Sequence, residues 1–161
     1  MSDYRQTLED YYFDPYNRGP HEDPTHAAVV RCPENACQLD FEVSLDGRGT
    51  IQQACFQGDG CSTCEGLASL LANGCEGQPA ADWAAISFEA WTGQLGWPTA
   101  ELLKLSPCAR LPLQTLQAAL ASPLDLLGDH LPSGDLLSGD LLDDNSVDGP
   151  NFGGPSLREE C

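Results

Sequence analysis

Between residues 39 and 45 apolar and polar side chains alternate without a break: Leu39, Phe41, Val43 and Leu45 share one parity, while Asp40, Glu42 and Ser44 share the other. A period of two sends these sets to opposite faces of an extended chain, so the segment predicts a strand with one buried side. Asp46-Gly47 supplies turn chemistry, and Thr50–Phe56 follows as the returning strand. Val29–Arg31 offers a third strand, which gives an antiparallel sheet with one face free to receive helices.

Elsewhere the period lengthens. Tyr4, Leu8, Tyr11 and Tyr12 recur at helical spacing within Ser2–Phe13, before Pro15 halts the helix and a loop runs from Asp14 to Pro24. Ser62 or Thr63 can cap a helix carrying Leu67, Leu70 and Leu71, with Asn73-Gly74 as its left-handed exit. Thr99–Leu105 and Pro112–Ala121 read as further helices, the second with Pro112 in its first turn and Leu113, Leu116 and Leu120 on one face. Trp83, Phe88, Trp91 and Trp97 precede them and suit core or interface anchoring. The expected fold class is α+β, a three-stranded antiparallel sheet packed by helices.

Composition shifts after residue 121. Residues 122–161 hold nine acidic residues and one Arg, and Ser133-Gly-Asp-Leu-Leu137 repeats directly as Ser138-Gly-Asp-Leu-Leu142. Too few apolar groups are present there to offset ordering entropy, so a domain over 1–121 with a disordered acidic tail over 122–161 is expected. The formal net charge of -18 repels phosphate backbones and anionic membranes, which excludes nucleic acid and membrane surfaces as partners. The opening residues carry no export signal and no run approaches the roughly 18 apolar residues of a membrane span, so a cytoplasmic protein is expected.

In that reducing setting, eight cysteines point to metal or sulfur chemistry ahead of disulfides. Three stand at loop boundaries: Cys37 before the first clear strand, Cys61 after the second, and Cys108 before the last helix. Cys61 directly precedes a helix N-terminus, whose N–H groups and dipole favour an anionic sulfur. Separations of 24 and 47 residues far exceed a zinc-finger knuckle, so these thiols meet only if the fold brings them together. Three such thiolates plus one further ligand would hold zinc or iron tetrahedrally.

Tyr11-Tyr-Phe-Asp-Pro-Tyr-Asn-Arg-Gly19 resembles the Asn-Pro-x-Asn-x-Gly opening of the NifU/IscU/SufU iron-sulfur scaffold family. Ala36-Cys37, Ala54-Cys-Phe-Gln-Gly-Asp-Gly-Cys61-Ser and Ser106-Pro-Cys108-Ala-Arg-Leu are similar to that family's three cysteine motifs, in the same order. The likeness spans Leu8 to Leu120. It implies a non-enzymatic scaffold whose Cys37, Cys61 and Cys108 cluster at one exposed end, accept sulfur from a cysteine desulfurase, and build a [2Fe-2S] unit from iron for transfer to apo iron-sulfur proteins.

Two departures qualify it. The family places Gly-Asp after the first cysteine, whereas Gln38-Leu39 stands here with Asp40 one position later. In a regular strand Asp40 points away from Leu39, so it becomes a metal ligand only through a bulge or register slip. Cys64, in the pair Cys61-Ser-Thr-Cys64, is the alternative fourth ligand, or else packs as a small apolar residue. Pro107 occupies a position where relatives carry His or Lys, and no Leu-Pro-Pro-Val-Lys motif precedes it, which puts a dedicated chaperone in question. Cys32 is a weaker ligand candidate, Cys55 and Cys75 read as buried thiols, and Cys161 as a solvated one. His21, His26 and His130 lack metal-ligand spacing. The competing readings are a zinc-bound sulfur acceptor of the SufU kind and a degenerate family member that serves only protein interaction.

Overall fold

The computed structural model describes residues 3–124. The Asp-Leu-Leu repeat, His130, Cys161 and the expected disorder of the tail beyond Leu124 lie outside these residues. Three strands, β1 (His26–Arg31), β2 (Gln38–Leu45) and β3 (Ile51–Asp59), form an antiparallel sheet in sequence order. Among the described residues six helices accompany it: α1 (Tyr4–Phe13), α2 (Ser62–Cys75), α3 (Ala80–Ala85), α4 (Phe88–Gln94), α5 (Thr99–Leu105) and α6 (Leu111–Leu120). The α+β class read from the alternating pattern is the class observed. Among the described residues no helix is long and apolar enough to cross a membrane.

The period of two in β2 sets the layering. Leu39, Phe41 and Val43 are fully buried, and α6 packs against β1 and β2 while α2 packs against β3. Each of those side chains contributes about 1.5–3 kcal/mol by leaving water. Phe41 faces Phe56 across the β2–β3 pair with ring centroids 6.1 Å apart, and Val43 faces Ala54. The register shifts between Ser44 and Leu45, which is where the pairing must adjust before the turn. Asp46 closes that turn by accepting the backbone N–H groups of Arg48 at 2.8 Å and Thr50 at 2.9 Å.

Residues 14–24, expected as a plain loop, do more than connect. Gly19 donates to the Phe56 carbonyl at 2.8 Å and Phe56 donates to the Asn17 carbonyl at 3.2 Å, so this stretch lies along β3. Glu76, just after α2, fastens it. Its carboxylate accepts the Tyr16 hydroxyl at 2.5 Å, Asn17 Nδ2 at 2.8 Å and the Ala54 backbone N–H at 2.9 Å. The carboxylate's hydrogen bond to the neutral phenol raises the Tyr16 pKa. Glu76→Ala removes one acceptor from three donors, and hydrogen bonds to a charged group contribute about 1.5–3 kcal/mol each. The Tyr16 contact is exposed and water can replace it, so the two part-buried contacts dominate. A loss of about 3 kcal/mol or more in chemical denaturation is expected, with the three-stranded fold retained.

Two boundaries of α2 differ from expectation. Its N-cap is Cys61 itself rather than Ser62 or Thr63: the Cys61 backbone is extended, and its sulfur accepts the Cys64 N–H at 3.4 Å. The helix continues through Asn73-Gly74 to Cys75, and the left-handed residue is Gly77 at φ 80. Gly77 lies where the chain must turn back to β3: it donates to the Ile51 carbonyl at 2.7 Å, and Ile51 donates to Gln78 at 2.9 Å.

The tryptophan segment folds into α3 and α4, which are too short for periodicity to reveal. Trp91 meets Trp83 and Phe88 edge-on at centroid distances of 6.4 and 6.1 Å. Gln117 of α6 donates to the carbonyls of Trp83 and Ile86 at 3.0 and 2.7 Å, which fixes α3 against α6. This block sets the course of α5 and hence of the turn that carries Cys108.

Candidate metal centre

Three different structural devices bring three thiols to one end of the sheet. Cys37 closes the turn between β1 and β2: its backbone N–H donates to Asn35 Oδ1 at 2.8 Å, and its carbonyl accepts from Cys32 at 2.8 Å. Cys61 follows the end of β3 as the cap of α2. Glu65, one turn later, accepts the Gly60 N–H at 3.1 Å and pairs with Arg18 at 3.1 Å, which steadies the approach to Cys61. Cys108 lies in the turn between α5 and α6, with its N–H on Ser106 Oγ at 3.1 Å.

Their sulfurs all lie within 4.8 Å of one another. Cys108 Sγ is 3.2 Å from Cys37 Sγ and 3.3 Å from Cys61 Sγ. Sulfurs bound at about 2.3 Å around a tetrahedral ion stand about 3.8 Å apart, so a shared metal needs these spacings to open by roughly half an ångström. The donor set fits a soft, thiolate-preferring metal. Cys37 is 9% exposed and Cys108 1%, while Cys61 is only half-buried, so access comes from the Cys61 side. The Cys61 N–H also donates to Cys37 Sγ at 3.3 Å, an amide positioned to stabilise sulfur charge.

The remaining candidates fall elsewhere. Asp40 does not join the sulfurs, because β2 keeps its register there: Leu39 is fully buried, and the Asp40 carboxylate takes a long 3.5 Å contact from Gln57 on the other face. No bulge brings it across. Cys64 is fully buried and lies beneath Gly60, near the three sulfurs but outside the set. Burial, followed by the nearby Cys108, Cys61 and Cys37, pushes its thiol far up, which favours a packed neutral side chain. Cys32, Cys55 and Cys75 are buried apart from the set, and burial holds Cys75 up at about 12. His21 bonds Ser44 at 3.1 Å and accepts from Asp23, while His26 pairs with Thr25.

Ser106 is the site residue that sequence reasoning passed over. Its hydroxyl lies 2.9 Å from Cys108 Sγ and 3.1 Å from Cys61 Sγ, and the residue is 4% exposed. The one available signal was a hydroxyl two residues before the cysteine in Ser106-Pro-Cys108, a spacing suited to a side-chain turn.

The thiols differ electrostatically. Burial, reinforced by hydrogen bonding with Cys108, raises Cys37 to about 12. Burial pushes Cys108 the same way, but hydrogen bonds from Ser106, Cys37, Cys61 and Asn35 outweigh it and bring Cys108 down to about 7. A depressed folded value contributes stability above the unfolded thiol value of 9.0, and that contribution is lost as pH falls through about 7. The metal-free protein is therefore expected to gain the ultraviolet absorbance of one thiolate with a midpoint of about 7. Cys108→Ser should remove that step from the titration.

A short antiparallel meander covered by helices, with three thiols gathered where two strand ends and a helix-linking turn meet, defines a thiolate-bearing α+β domain. The chain belongs to the family of the NifU-like N terminal domain, whose model matches residues 3–122. No curated protein matches the chain. Among solved structures, the N-terminal part of a nitrogen-fixing NifU-like protein from Brucella abortus is similar at TM-score 0.60 and 11% identity, over 73% of this chain and 92% of that one. A protein described as a candidate iron-sulfur cluster assembly scaffold for the SUF system, from the thermophile Fervidobacterium islandicum AW-1, is similar at TM-score 0.54 and 17% identity, over 71% of this chain and 94% of that one. At these identities the likeness is one of fold.

Proposed function

We propose that this domain is a non-enzymatic scaffold on which iron and sulfur are assembled into a [2Fe-2S] cluster for delivery to apo iron-sulfur proteins. The observation that carries the reading is the convergence of Cys37, Cys61 and Cys108 within 4.8 Å, with only Cys61 substantially open. Three thiolates can hold iron while leaving a coordination position for exchange, which suits a cargo that must be released. Membership of the NifU-like family and the fold shared with a SUF-system protein support it.

Sulfur would come from the persulfide of a cysteine desulfurase. The accessible Cys61 thiolate attacks the outer persulfide sulfur, the sulfur–sulfur bond of the donor breaks, and the desulfurase cysteine leaves as a thiolate. Cys61 then carries the sulfane sulfur. Its further reduction to sulfide takes two electrons from a dithiol or an external electron carrier.

Anaerobic incubation with ferrous iron, cysteine, a reductant and a desulfurase tests this. Sulfur-to-iron charge-transfer absorption in the wild type is expected, and its absence overturns the scaffold reading. The alternative of zinc holding the thiolates until a sulfur arrives is supported by one observation: Cys108 Sγ lies against both Cys37 Sγ and Cys61 Sγ, at 3.2 and 3.3 Å, so all three sulfurs can share a single ion once those spacings open. Stoichiometric zinc in the purified protein, with stimulation of desulfurase turnover and no cluster formation, would select it.

A further inference from the structure

The Ser106 hydroxyl plays no part in the scaffold reading, yet it touches two of the three sulfurs. It also accepts the Cys108 backbone N–H at 3.1 Å. A hydroxyl has one proton to donate and two lone pairs. In the metal-free protein the Cys108 amide occupies one lone pair, and a thiol proton from Cys61 or Cys108 can occupy the other. Once both sulfurs are thiolates on a metal, neither has a proton to give. Toward the sulfurs the hydroxyl can then only donate, with its single proton shared between two sulfurs of the same ion, while it still accepts the Cys108 amide. At 4% exposure, water does not readily replace it.

We propose that Ser106 is a positioning residue for the bound metal: its hydroxyl, hydrogen-bonded to the Cys61 and Cys108 thiolates, orients both on one ion and slows the metal's release. The inference rests on Cys37, Cys61 and Cys108 being the metal-binding set. It concerns how long and in what electronic state a metal is held, not which cargo is built. Hydrogen bonds to a ligating sulfur withdraw charge from it, and such outer contacts commonly change metal affinity by about 10–100-fold.

Cobalt(II) is the probe, bound to the full-length chain, because its thiolate charge-transfer band reports sulfur charge directly. In Ser106→Ala, loss of the hydroxyl should move that band to longer wavelength and speed cobalt release to a chelator about tenfold or more. Ser106→Thr and Ser106→Val form a pair of nearly equal volume that differs in the hydroxyl, so comparing them cancels the steric cost of enlarging a buried side chain and serves if the alanine variant does not fold. The threonine variant should keep the wild-type band and the valine variant should show the shifted one.

A purely structural serine, needed only to close the 106–109 turn, would let release speed up while the band stayed in place; that result overturns the proposal. Identical bands and release rates in the threonine and valine variants overturn it as well. If the wild type shows no thiolate-to-cobalt band at all, the cysteine set itself is wrong and this inference falls with it. A wild-type band that no Ser106 variant alters removes the inference alone.

Discussion

Cys108→Ser is expected to lower zinc or ferrous iron affinity by about a hundredfold while leaving the fold intact. Cys108 is the middle member of the set, with its sulfur 3.2 Å from Cys37 and 3.3 Å from Cys61. Removing it leaves two thiolates with no neighbour between them. Structural zinc sites bind with about 10–16 kcal/mol, or about 2.5–4 kcal/mol for each of four ligands, and 1.4 kcal/mol is a factor of ten. Serine is nearly isosteric and can keep a hydrogen bond to the neighbouring Ser106, so little packing is lost. Competition against a chromophoric chelator measures the change. Cys55→Ser and Asp40→Ala are the controls, since both residues lie apart from the set; either should bind as the wild type does. Equal affinity in Cys108→Ser and wild type would remove Cys108 from the metal centre.

What the sequence made legible follows from where physical constraints are local. The strand of residues 39–45 announced its buried face through a two-residue alternation, and that same alternation already turned Asp40 away from Leu39. Turn and cap chemistry located Cys37, Cys61 and Cys108 at element boundaries. Their meeting in space was not derivable from spacing; the likeness to a known family supplied that expectation, and the fold brings the sulfurs within 4.8 Å. The cap of α2 was missed because a cysteine sulfur is a weak acceptor, and Ser62 and Thr63 are stronger sequence signals. The end of α2 was missed because Gly74 is as plausible a stop as Gly77 until β3 is there to receive the chain. Ser106 was invisible for a similar reason: its partners lie 45 residues away in Cys61 and only two away in Cys108, and only the first makes it more than a local turn residue. Glu76 likewise acts across 60 residues to hold Tyr16, a contact no pattern encodes.

Gly58→Ala should destabilise the domain by about 3–4 kcal/mol and weaken metal binding as well, although the residue touches no sulfur. Gly58 has φ 139, a conformation that residues with a Cβ rarely adopt, and an added Cβ would stand 2.2 Å from the Gln38 carbonyl oxygen and 3.1 Å from Leu39 Cα. Both obstacles are backbone, so no side chain can swing aside. Strain of about 1–3 kcal/mol for the conformation adds to an overpacking cost of about 1–3 kcal/mol. For a domain of this size that lowers the thermal midpoint by about 10 °C or more. Relief requires the start of β2 to move away from β3, and Gly58 pairs with Leu39 beside the final Gln38–Asp59 pair. Cys37 immediately precedes that pair on one strand, and Cys61 follows it on the other. Separating the strands there spreads the sulfurs whose close approach defines the site. Gly47→Ala, in open space without a left-handed backbone, should shift the midpoint little. If Gly58→Ala melts with the wild type and binds metal equally well, the paired strand ends are not what holds Cys37 against Cys61.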